Sequence, residues 1–176
     1  MQEAATARIT VESGVNGDAR GKPGRRQASV ISRDAWEAAC AELGVADLPW
    51  TTRRANLLIV GIDLQGKVGY DLRIGDAVLT ISGETRPCEV MERAHPGLKA
   101  ALTPEWRGGV ICRVTRSGDV AVGCEVVLTR SVARQLTFIS LQHARQFLKQ
   151  GRALLGGWAR KLGWKKPREA SYSEHP

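Results

Sequence analysis

The sequence predicts a mainly β fold of the α+β class: a twisted antiparallel β-barrel with one main helix and a C-terminal helical extension. First, 19 glycines and an aromatic content of 5% in 176 residues indicate many turns between short elements. Second, about seven short extended runs recur without the regular strand–helix alternation that builds a parallel sheet. Third, only one early stretch has the signals of a substantial helix. These observations favour a twisted, mainly antiparallel sheet or barrel.

The first part of the chain alternates between strands and loops. Residues 7–11 alternate apolar and polar side chains, which is typical of a half-buried strand. Residues 12–26 form a loop, since they hold four glycines, a proline and an Asn-Gly pair. Residues 27–31 are extended again. A helix then begins at Ser32, a residue that can cap it, and ends before Gly44.

The middle of the chain contains two apolar runs of strand length. Residues 57–61 and 77–81 are both short enough to be buried strands. Residues 90–93 are predicted to extend the sheet beyond Cys88. Residues 96–102 have the pattern of a single helical turn.

Two β-rich runs follow, at residues 110–116 and 119–129. The dipeptide Ser117-Gly118 between them is a hairpin signal, so we expect the two runs to pair. Cys112 and Cys124 lie inside these runs, and we interpret both as packing residues.

The positive charge lies in the C-terminal part. Residues 131–176 carry nine lysines and arginines against two glutamates, a net +7 of the total +8, which leaves +1 for residues 1–130. We therefore divide the chain into a globular domain, 1–130, and a basic amphipathic helical extension, 131–176, with a disordered end. The extension has three interpretations: packing on the barrel, binding an anionic membrane surface through 131–166, or contacting nucleic acid. Nucleic acid is not expected, because no recognised motif is present.

The composition also bears on location. The first ten residues lack a basic region followed by an apolar core, so we expect no signal peptide. No apolar run approaches the roughly 20 residues that span a bilayer. The four cysteines have no zinc-finger spacing. We therefore expect a cytoplasmic protein with free thiols, with membrane-peripheral association through the extension as an alternative.

The most informative stretch surrounds Cys88. Pro87 fixes its own φ angle and biases Arg86 toward an extended conformation. The backbone leading to the Cys88 sulfur is therefore conformationally restricted. Thiol chemistry needs the thiolate, which the nearby guanidinium of Arg86 favours. The alternative is an inert, buried cysteine, the commoner case for a lone cysteine.

Cationic residues recur in the glycine-rich loops. The loop 12–26 includes Arg26 at its end, Arg54 and Asn56 precede the strand at residue 57, and Arg107 precedes Gly108. Guanidinium and backbone N–H groups together suit an anion such as a phosphate. The alternative for each of these loops is a solvated surface.

Several of these loops together resemble one family, the MOSC domain, named for the C-terminal domain of molybdenum cofactor sulfurase. The resemblance covers residues 7–129 and is to the short stand-alone form. The matching motifs are Gly17-Asp18, Arg26-Gln27, Arg54-Ala55-Asn56, Gly61-Ile62, Ile74-Gly75-Asp76, Pro87-Cys88, Arg107-Gly108-Gly109 and a closing Gly-x-x-x-Val-Gly hairpin that ends at Val126. This sequence has Gly123-Cys124 where the family usually has Gly-Asp, a difference that bears on the turn more than on chemistry.

The resemblance implies a β-barrel-like fold, binding of the molybdenum cofactor (molybdopterin), and a central role for Cys88. In the family this cysteine either ligates molybdenum or carries sulfur as a persulfide. On this basis Cys88 is the predicted catalytic residue and metal ligand. The predicted cofactor-binding residues are Arg26, Arg54, Asn56, Arg86, Arg107 and Gly108.

Three functions follow as hypotheses. In the first, the cofactor at Cys88 reduces N-hydroxylated compounds, and a partner electron-transfer protein supplies the electrons. In the second, Cys88 is a sulfur carrier that accepts persulfide sulfur from a cysteine desulfurase. In the third, the chain is a membrane-peripheral binding module. Pyridoxal phosphate is not expected, because no lysine has a recognisable Schiff-base context.

Overall fold

The computed structural model describes residues 3–18 and 23–131, which belong to one compact unit, Met1–Ser131. The strands are β1 (Thr6–Thr10), β2 (Gly14–Val15), β3 (Ala28–Ser32), β4 (Leu57–Ile59), β5 (Tyr70–Ile74), β6 (Ala77–Glu84), β7 (Val110–Arg116), β8 (Gly118–Ala121) and β9 (Val126–Arg130). The helices are α1 (Arg33–Leu43), α2 (Glu89–Ala94) and α3 (Leu98–Ala101), with short 3₁₀ helices at Trp50–Arg53 and Pro104–Trp106.

The strands form two sheets. The three-stranded sheet has the order β2-β1-β8, and the six-stranded sheet has the order β4-β3-β7-β6-β5-β9. All neighbouring strands are antiparallel except β3 and β4, where Val30 lies opposite Leu57 in a parallel pair. Helix α1 lies between these two strands in the chain and provides the crossover that a parallel pair requires. The prediction of a strand-rich, mainly antiparallel fold is confirmed, with this one parallel pair.

The main core lies on the inner side of the sheets. Side chains of β5, β6 and β7 alternate between buried and more exposed positions, so that Leu72, Leu79 and Val114 are completely buried. Cys112 is also completely buried in this core, as predicted for a packing residue.

A second core joins the helices to the back of β3. Trp36 and Cys40 of α1 pack in it with Met91 of α2 and Leu98 of α3. The Trp36 ring also donates from Nε1 to the carbonyl oxygen of Leu48 at 3.1 Å. Because Met91 is 2% exposed, this core fixes α2 and therefore the position of its first residues.

The predicted pairing of residues 110–116 with 119–129 is wrong. Strand β7 pairs with β3 and β6, whereas β8 pairs with β1, where Ile9 lies opposite Gly118. Gly118 is needed for a close backbone approach instead of a hairpin turn, since a Cβ atom there would lie 2.3 Å from the backbone nitrogen of Ala77. The run predicted at 119–129 is also two strands, β8 and β9, which belong to different sheets.

Two other segments differ from the prediction. Residues 90–93 belong to helix α2 instead of a strand, because Val90 and Met91 pack in the second core. Residues 70–74, for which no strand was predicted, form β5 between β6 and β9.

The predicted C-terminal extension, 131–176, lies outside the described residues from position 132 onward. Its boundary and its three interpretations stay predictions. In the described ranges, every helix is too short or too polar to cross a bilayer.

Candidate functional site

Cys88 lies on an exposed loop that links β6 to α2. Strand β6 ends at Glu84, and Cys88 precedes the first residue of α2 with extended backbone angles, φ −127° and ψ 179°. The second core holds α2 through Met91, so packing behind the loop determines where the cysteine lies.

The other three cysteines, all within the described residues, are less accessible. Cys40 and Cys112 are buried and Cys124 is half-buried, whereas Cys88 is exposed. Burial raises the pKa of Cys112 to about 12. Burial and, to a lesser extent, the charge of Glu37 raise the pKa of Cys40. Cys88 is therefore the thiol most open to solvent, substrates and partners.

A buried arginine anchors the Cys88 loop from behind. Arg53 is 7% exposed, and its guanidinium donates from Nε to the carbonyl oxygen of Gly108 at 2.9 Å. The same group donates from Nη2 to the carbonyl oxygen of Thr85 at 3.2 Å. Hydrogen bonds from a charged donor are stronger than neutral ones, so Arg53 ties three segments together: the end of a 3₁₀ helix, the cysteine loop and the glycine loop.

Gly108 supports the cysteine loop with its backbone. A Cβ atom at this position would lie 2.4 Å from the carbonyl oxygen of Thr85 and 3.3 Å from Cδ of Pro87. Its carbonyl oxygen accepts from Arg53, and its N–H donates to the carbonyl oxygen of Leu102 at 2.9 Å. The structure therefore places Gly108 behind the loop, with both backbone polar groups already hydrogen-bonded.

Thr85 is the other notable residue of this loop. It is 5% exposed, and its backbone N–H donates to the carbonyl oxygen of Gly109 at 2.8 Å. Its Oγ1 is the one buried side-chain polar atom in the described part of the chain that has no hydrogen-bond partner. A buried hydroxyl usually has a partner, so this oxygen can still accept or donate a hydrogen bond at the base of the loop.

Arg86 and Arg26 are exposed cations outside the two cavities. The side chain of Arg86 is 87% exposed, and its Nε lies 3.6 Å from Glu84 Oε2. Arg26 is also exposed. Its neighbour Arg25 donates from Nη2 to the carbonyl oxygen of Ser82 at 2.8 Å, which ties this segment to the end of β6.

Arg54 and Asn56 line a different region, a groove of about 1530 Å³ between the start of β4 and the three-stranded sheet. Asn56 donates from Nδ2 to Asp18 Oδ2 at 2.7 Å and accepts at Oδ1 from Ser29 N at 2.8 Å. Its amide group therefore joins β3, β4 and the Asp18 loop. Cys88, although described, does not line this groove.

Arg107 is engaged in ion pairs within the domain. Its side chain is 18% exposed, and Nη1 lies 2.6 Å from Glu42 Oε2. Nη2 lies 3.6 Å from Glu105 Oε2, and Nη1 also donates to the carbonyl oxygen of Ala101 at 3.2 Å. Two carboxylates thus already balance its charge, and it borders a smaller cavity of about 380 Å³ that Cys88 does not line.

An exposed ion pair lies directly after the cysteine. Lys99 Nζ donates to Glu89 Oε1, and this hydrogen bond lowers the pKa of Glu89 and raises the pKa of Lys99. The charges of Glu89, Glu92 and Cys88 contribute to the raised pKa of Lys99 in the same direction. Lys99 is thus a cation close to the thiol, which sequence spacing did not indicate.

The predicted site residues therefore fall into four places. Arg86, Cys88 and Gly108 lie together, Arg54 and Asn56 share the large groove, and Arg107 lies at the smaller cavity. Arg26 is exposed next to Arg25, on the segment tied to the end of β6. No role was predicted for Arg53. The pair Arg53-Arg54 precedes a buried strand, but nothing in the sequence shows which of the two arginines is buried and needs hydrogen-bond acceptors.

The sequence-family model of the MOSC domain matches residues 15–127, which is more than half of the chain. The chain belongs to the MOSC domain family. This match confirms the resemblance found in the sequence. The MOSC family is linked in general to binding of the molybdenum cofactor.

Solved structures show the same fold. This MOSC domain is similar to YuaD from Bacillus subtilis, with 24% identity and a TM-score of 0.61 over 74% of this chain and 88% of that one. It is also similar to YiiM from Escherichia coli, with 20% identity and a TM-score of 0.56 over 75% of this chain and 66% of that one. For YiiM from Geobacillus stearothermophilus the identity is 16% and the TM-score 0.53, over 73% and 75% of the two chains. No curated protein matches the sequence.

Proposed function

We propose that this MOSC protein binds the molybdenum cofactor, with Cys88 as the protein ligand to molybdenum, and reduces N-hydroxylated compounds. The observation that carries the proposal is the exposed Cys88 thiol on a loop held from behind by the buried Arg53. A soft thiolate is a suitable ligand for molybdenum, and a ligand on an anchored loop is already positioned before the metal arrives.

The residues around Cys88 fit such a group. Arg86 and Arg26 are exposed cations that can bind the phosphate of the pterin. The unpartnered Thr85 Oγ1 offers a hydrogen bond at the base of the loop. In the described ranges no three histidine, cysteine or acidic side chains form a metal-binding group. The site therefore suits a metal that receives most of its ligands from the cofactor and one sulfur from the protein.

The remaining predicted residues have supporting parts in this proposal. Arg54 lines the large groove and contributes positive charge there. Asn56 and Gly108 hold the loops in place through hydrogen bonds and close packing. Arg107 contributes through its ion pairs with Glu42 and Glu105, which fix the glycine loop.

When bound, the cofactor supplies two-electron redox chemistry. Reduction of an N-hydroxyl group consumes two electrons and two protons, breaks the N–O bond, and releases the oxygen as water. The electrons come from a partner electron-transfer protein. The chain itself binds and orients the cofactor and the substrate, with Arg86 on the same loop as Cys88 and Lys99 as a cation whose charge interacts with Cys88.

A sulfur-carrier function is the second candidate, and one observation favours it. Cys88 lies outside both cavities and is exposed, so a partner's persulfide can reach it directly. The Cys88 thiolate would attack the outer sulfur of a persulfide on a cysteine desulfurase. The donor's S–S bond breaks, the donor cysteine leaves as a thiolate, and a new S–S bond forms on Cys88. Pyridoxal phosphate would then belong to the desulfurase and not to this chain.

The third candidate, membrane-peripheral binding, rests on residues 131–166, of which the structure describes only Ser131. It stays a prediction.

The molybdenum and pterin contents of the purified protein test the first two candidates. The wild type, Cys88→Ala and the matched control Cys124→Ala are purified from a molybdenum-replete host, and persulfide is titrated in the same samples. Stoichiometric molybdenum that only Cys88→Ala loses supports the enzyme. Persulfide that only Cys88→Ala loses, without molybdenum or pterin, supports the sulfur carrier. If the wild type contains neither molybdenum with pterin nor persulfide, both candidates are contradicted.

A further inference from the structure

The outer side of the six-stranded sheet is rich in arginine. Thr80 lies opposite both Asp71 and Arg113, and Val78 lies opposite both Arg73 and Arg116. Side chains directly opposite each other in a sheet point to the same side. These residues therefore share the side that faces away from the buried core residues of the same strands.

Arg25 extends this surface toward the cysteine loop. It donates from Nη2 to the carbonyl oxygen of Ser82, and its Nη2 would lie 3.9 Å from a Cβ atom on Gly83. We call the surface formed by Arg25, Arg73, Arg113 and Arg116 the arginine face. All four arginines are exposed.

The positive charge of the arginine face is not neutralised within the described residues. None of its four arginines forms an ion pair with another described side chain. Arg116 donates from Nε to the neutral carbonyl oxygen of Asp76 at 2.8 Å. The one carboxylate in the same rows, that of Asp71, accepts from Thr80 Oγ1 at 2.5 Å. Such a surface attracts a carboxylate-bearing or phosphate-bearing partner.

The side chains between the arginines indicate a protein partner. Val78, Ile111 and Val127 lie in the same rows as the arginines or next to them, and Val127 is 38% exposed. Sheets that bind single-stranded nucleic acid use aromatic side chains on which bases stack. The described strands of this sheet carry one aromatic residue, Tyr70, which packs against the main core. Apolar side chains among cations suit the acidic surface of a protein better than a nucleic acid.

One end of the arginine face, at Gly83, is five residues before Cys88 in the chain. Gly83 lies opposite Ile111 at this end of the sheet, and β6 finishes one residue later. Because an extended chain spans at most roughly 3.6 Å per residue, the Cα atoms of Gly83 and Cys88 are at most roughly 18 Å apart. A protein bound on this face can therefore reach the thiol.

We propose that the arginine face docks the acidic surface of a partner protein, the one that delivers electrons or sulfur to Cys88. The identity of the delivered group rests on the proposed function, whereas the docking rests on the charges and geometry of the sheet. Electrostatic complementarity of this kind raises the association rate and makes binding sensitive to salt.

The test measures binding by fluorescence anisotropy with the full chain and two labelled probes. One probe is a short peptide of glutamate and leucine, and the other is a single-stranded oligonucleotide of equal charge. The variant Arg73→Ser/Arg113→Ser removes two cations from the arginine face, and Arg73→Lys/Arg113→Lys retains them. Arg33→Ser/Arg93→Ser removes the same charge from helices α1 and α2. Urea unfolding of each variant checks that it is folded.

We expect the Arg73→Ser/Arg113→Ser protein to bind the peptide about tenfold more weakly, and the lysine and control variants to change by less than about threefold. The inference is overturned if the wild type does not bind the peptide in low salt, or if the control loses as much affinity. It is also overturned if the oligonucleotide binds more tightly than the peptide through the same arginines, since the partner would then be a nucleic acid.

This test and that of the proposed function fail separately. Peptide binding needs neither cofactor nor thiol, so Cys88→Ala should bind the peptide like the wild type. If the protein contains neither molybdenum nor persulfide but still binds the peptide through the arginine face, only the proposed function is contradicted. Protein that contains molybdenum but binds the peptide independently of Arg73 and Arg113 contradicts the docking alone.

Discussion

The guanidinium of Arg53 lies 2.9 Å from the carbonyl oxygen of Gly108, buried behind the loop that carries Cys88. This hydrogen bond, with the one to Thr85, links residues that are far apart in the sequence but meet under the thiol. The position of the exposed sulfur therefore depends on a side chain that does not itself reach the surface.

Replacing Arg53 should destabilise the domain strongly. Arg53→Ala leaves the carbonyl oxygens of Gly108 and Thr85 without a donor in a buried region, which should lower the free energy of unfolding by about 3 kcal/mol. Urea denaturation followed by circular dichroism measures the change. The matched control is Arg54→Ala, because Arg54 is adjacent but exposed, and we expect it to cost less than about 1 kcal/mol. Equal losses in the two variants would contradict the anchoring role of Arg53.

A methyl group at position 108 should displace the cysteine loop. In Gly108→Ala the new Cβ atom would lie 2.4 Å from the carbonyl oxygen of Thr85, so backbone must move, at a cost of about 2 kcal/mol. Gly83→Ala is the control, since the nearest atom to its Cβ is 3.8 Å away on Ile111. Unfolding free energies of both variants are compared with the wild type. A Gly108→Ala protein as stable as Gly83→Ala would show that the loop adapts without cost.

Burial of Cys112 should make the domain less stable at alkaline pH. Its pKa is raised from the ordinary 9.0 to about 12, so above pH 9 the unfolded chain releases a proton that the folded protein retains. The stabilisation is complete below pH 9 and is lost as the pH rises toward 12. Between roughly pH 8 and pH 10.5 the wild type should lose about 2 kcal/mol more unfolding free energy than Cys112→Ala. Parallel pH dependences of the two proteins would refute this effect.

Changing the amide of Asn56 to a carboxylate should introduce a pH-dependent repulsion. Asn56→Asp places an acidic group beside Asp18, whose Oδ2 accepts from the present amide at 2.7 Å. At pH 7 we expect unfolding free energy to fall by about 2 kcal/mol, with recovery below about pH 5 as the pair takes up a proton. Asn56→Ala loses the same hydrogen bonds without adding a charge, so its deficit should change less with pH than that of Asn56→Asp. Equal pH dependences of the two deficits would rule out the repulsion.

Local signals in the sequence predicted the parts of the fold that are set locally. Helix α1 begins after Ser32 and ends before Gly44, which has the left-handed φ of 67° expected of a residue that ends a helix. The strands at residues 28–32 and 57–59 also match apolar runs. By contrast, Val90 and Met91 form a helix because they pack against distant residues of the second core, which the local pattern does not show.

The same local signals could not predict which strands pair. Ser117-Gly118 has the composition of a turn, but Gly118 is required by the backbone of Ala77 in a neighbouring segment. Residues 70–74 were hidden between glycines, although Leu72 and Ile74 alternate with Asp71 and Arg73 as in a half-buried strand. That alternation would have predicted β5.

At the candidate site, Cys88 is the predicted functional thiol among four cysteines, and it is the exposed one. Its role as a ligand stays a prediction. The ion pair of Arg107 with Glu42 joins residues distant in the chain, so no local motif reveals that this cation already has a carboxylate partner.

The pairing of β1 with β8 has a consequence for how the domain folds. Ile9 lies opposite Gly118, so the first strand of the chain finds its main partner only when the eighth strand is present. A contact over such a long sequence separation forms late and slows folding. During synthesis on the ribosome, β1 must therefore wait with an unpaired edge while most of the domain is made. Circular permutation that brings these two strands together in the sequence should accelerate refolding.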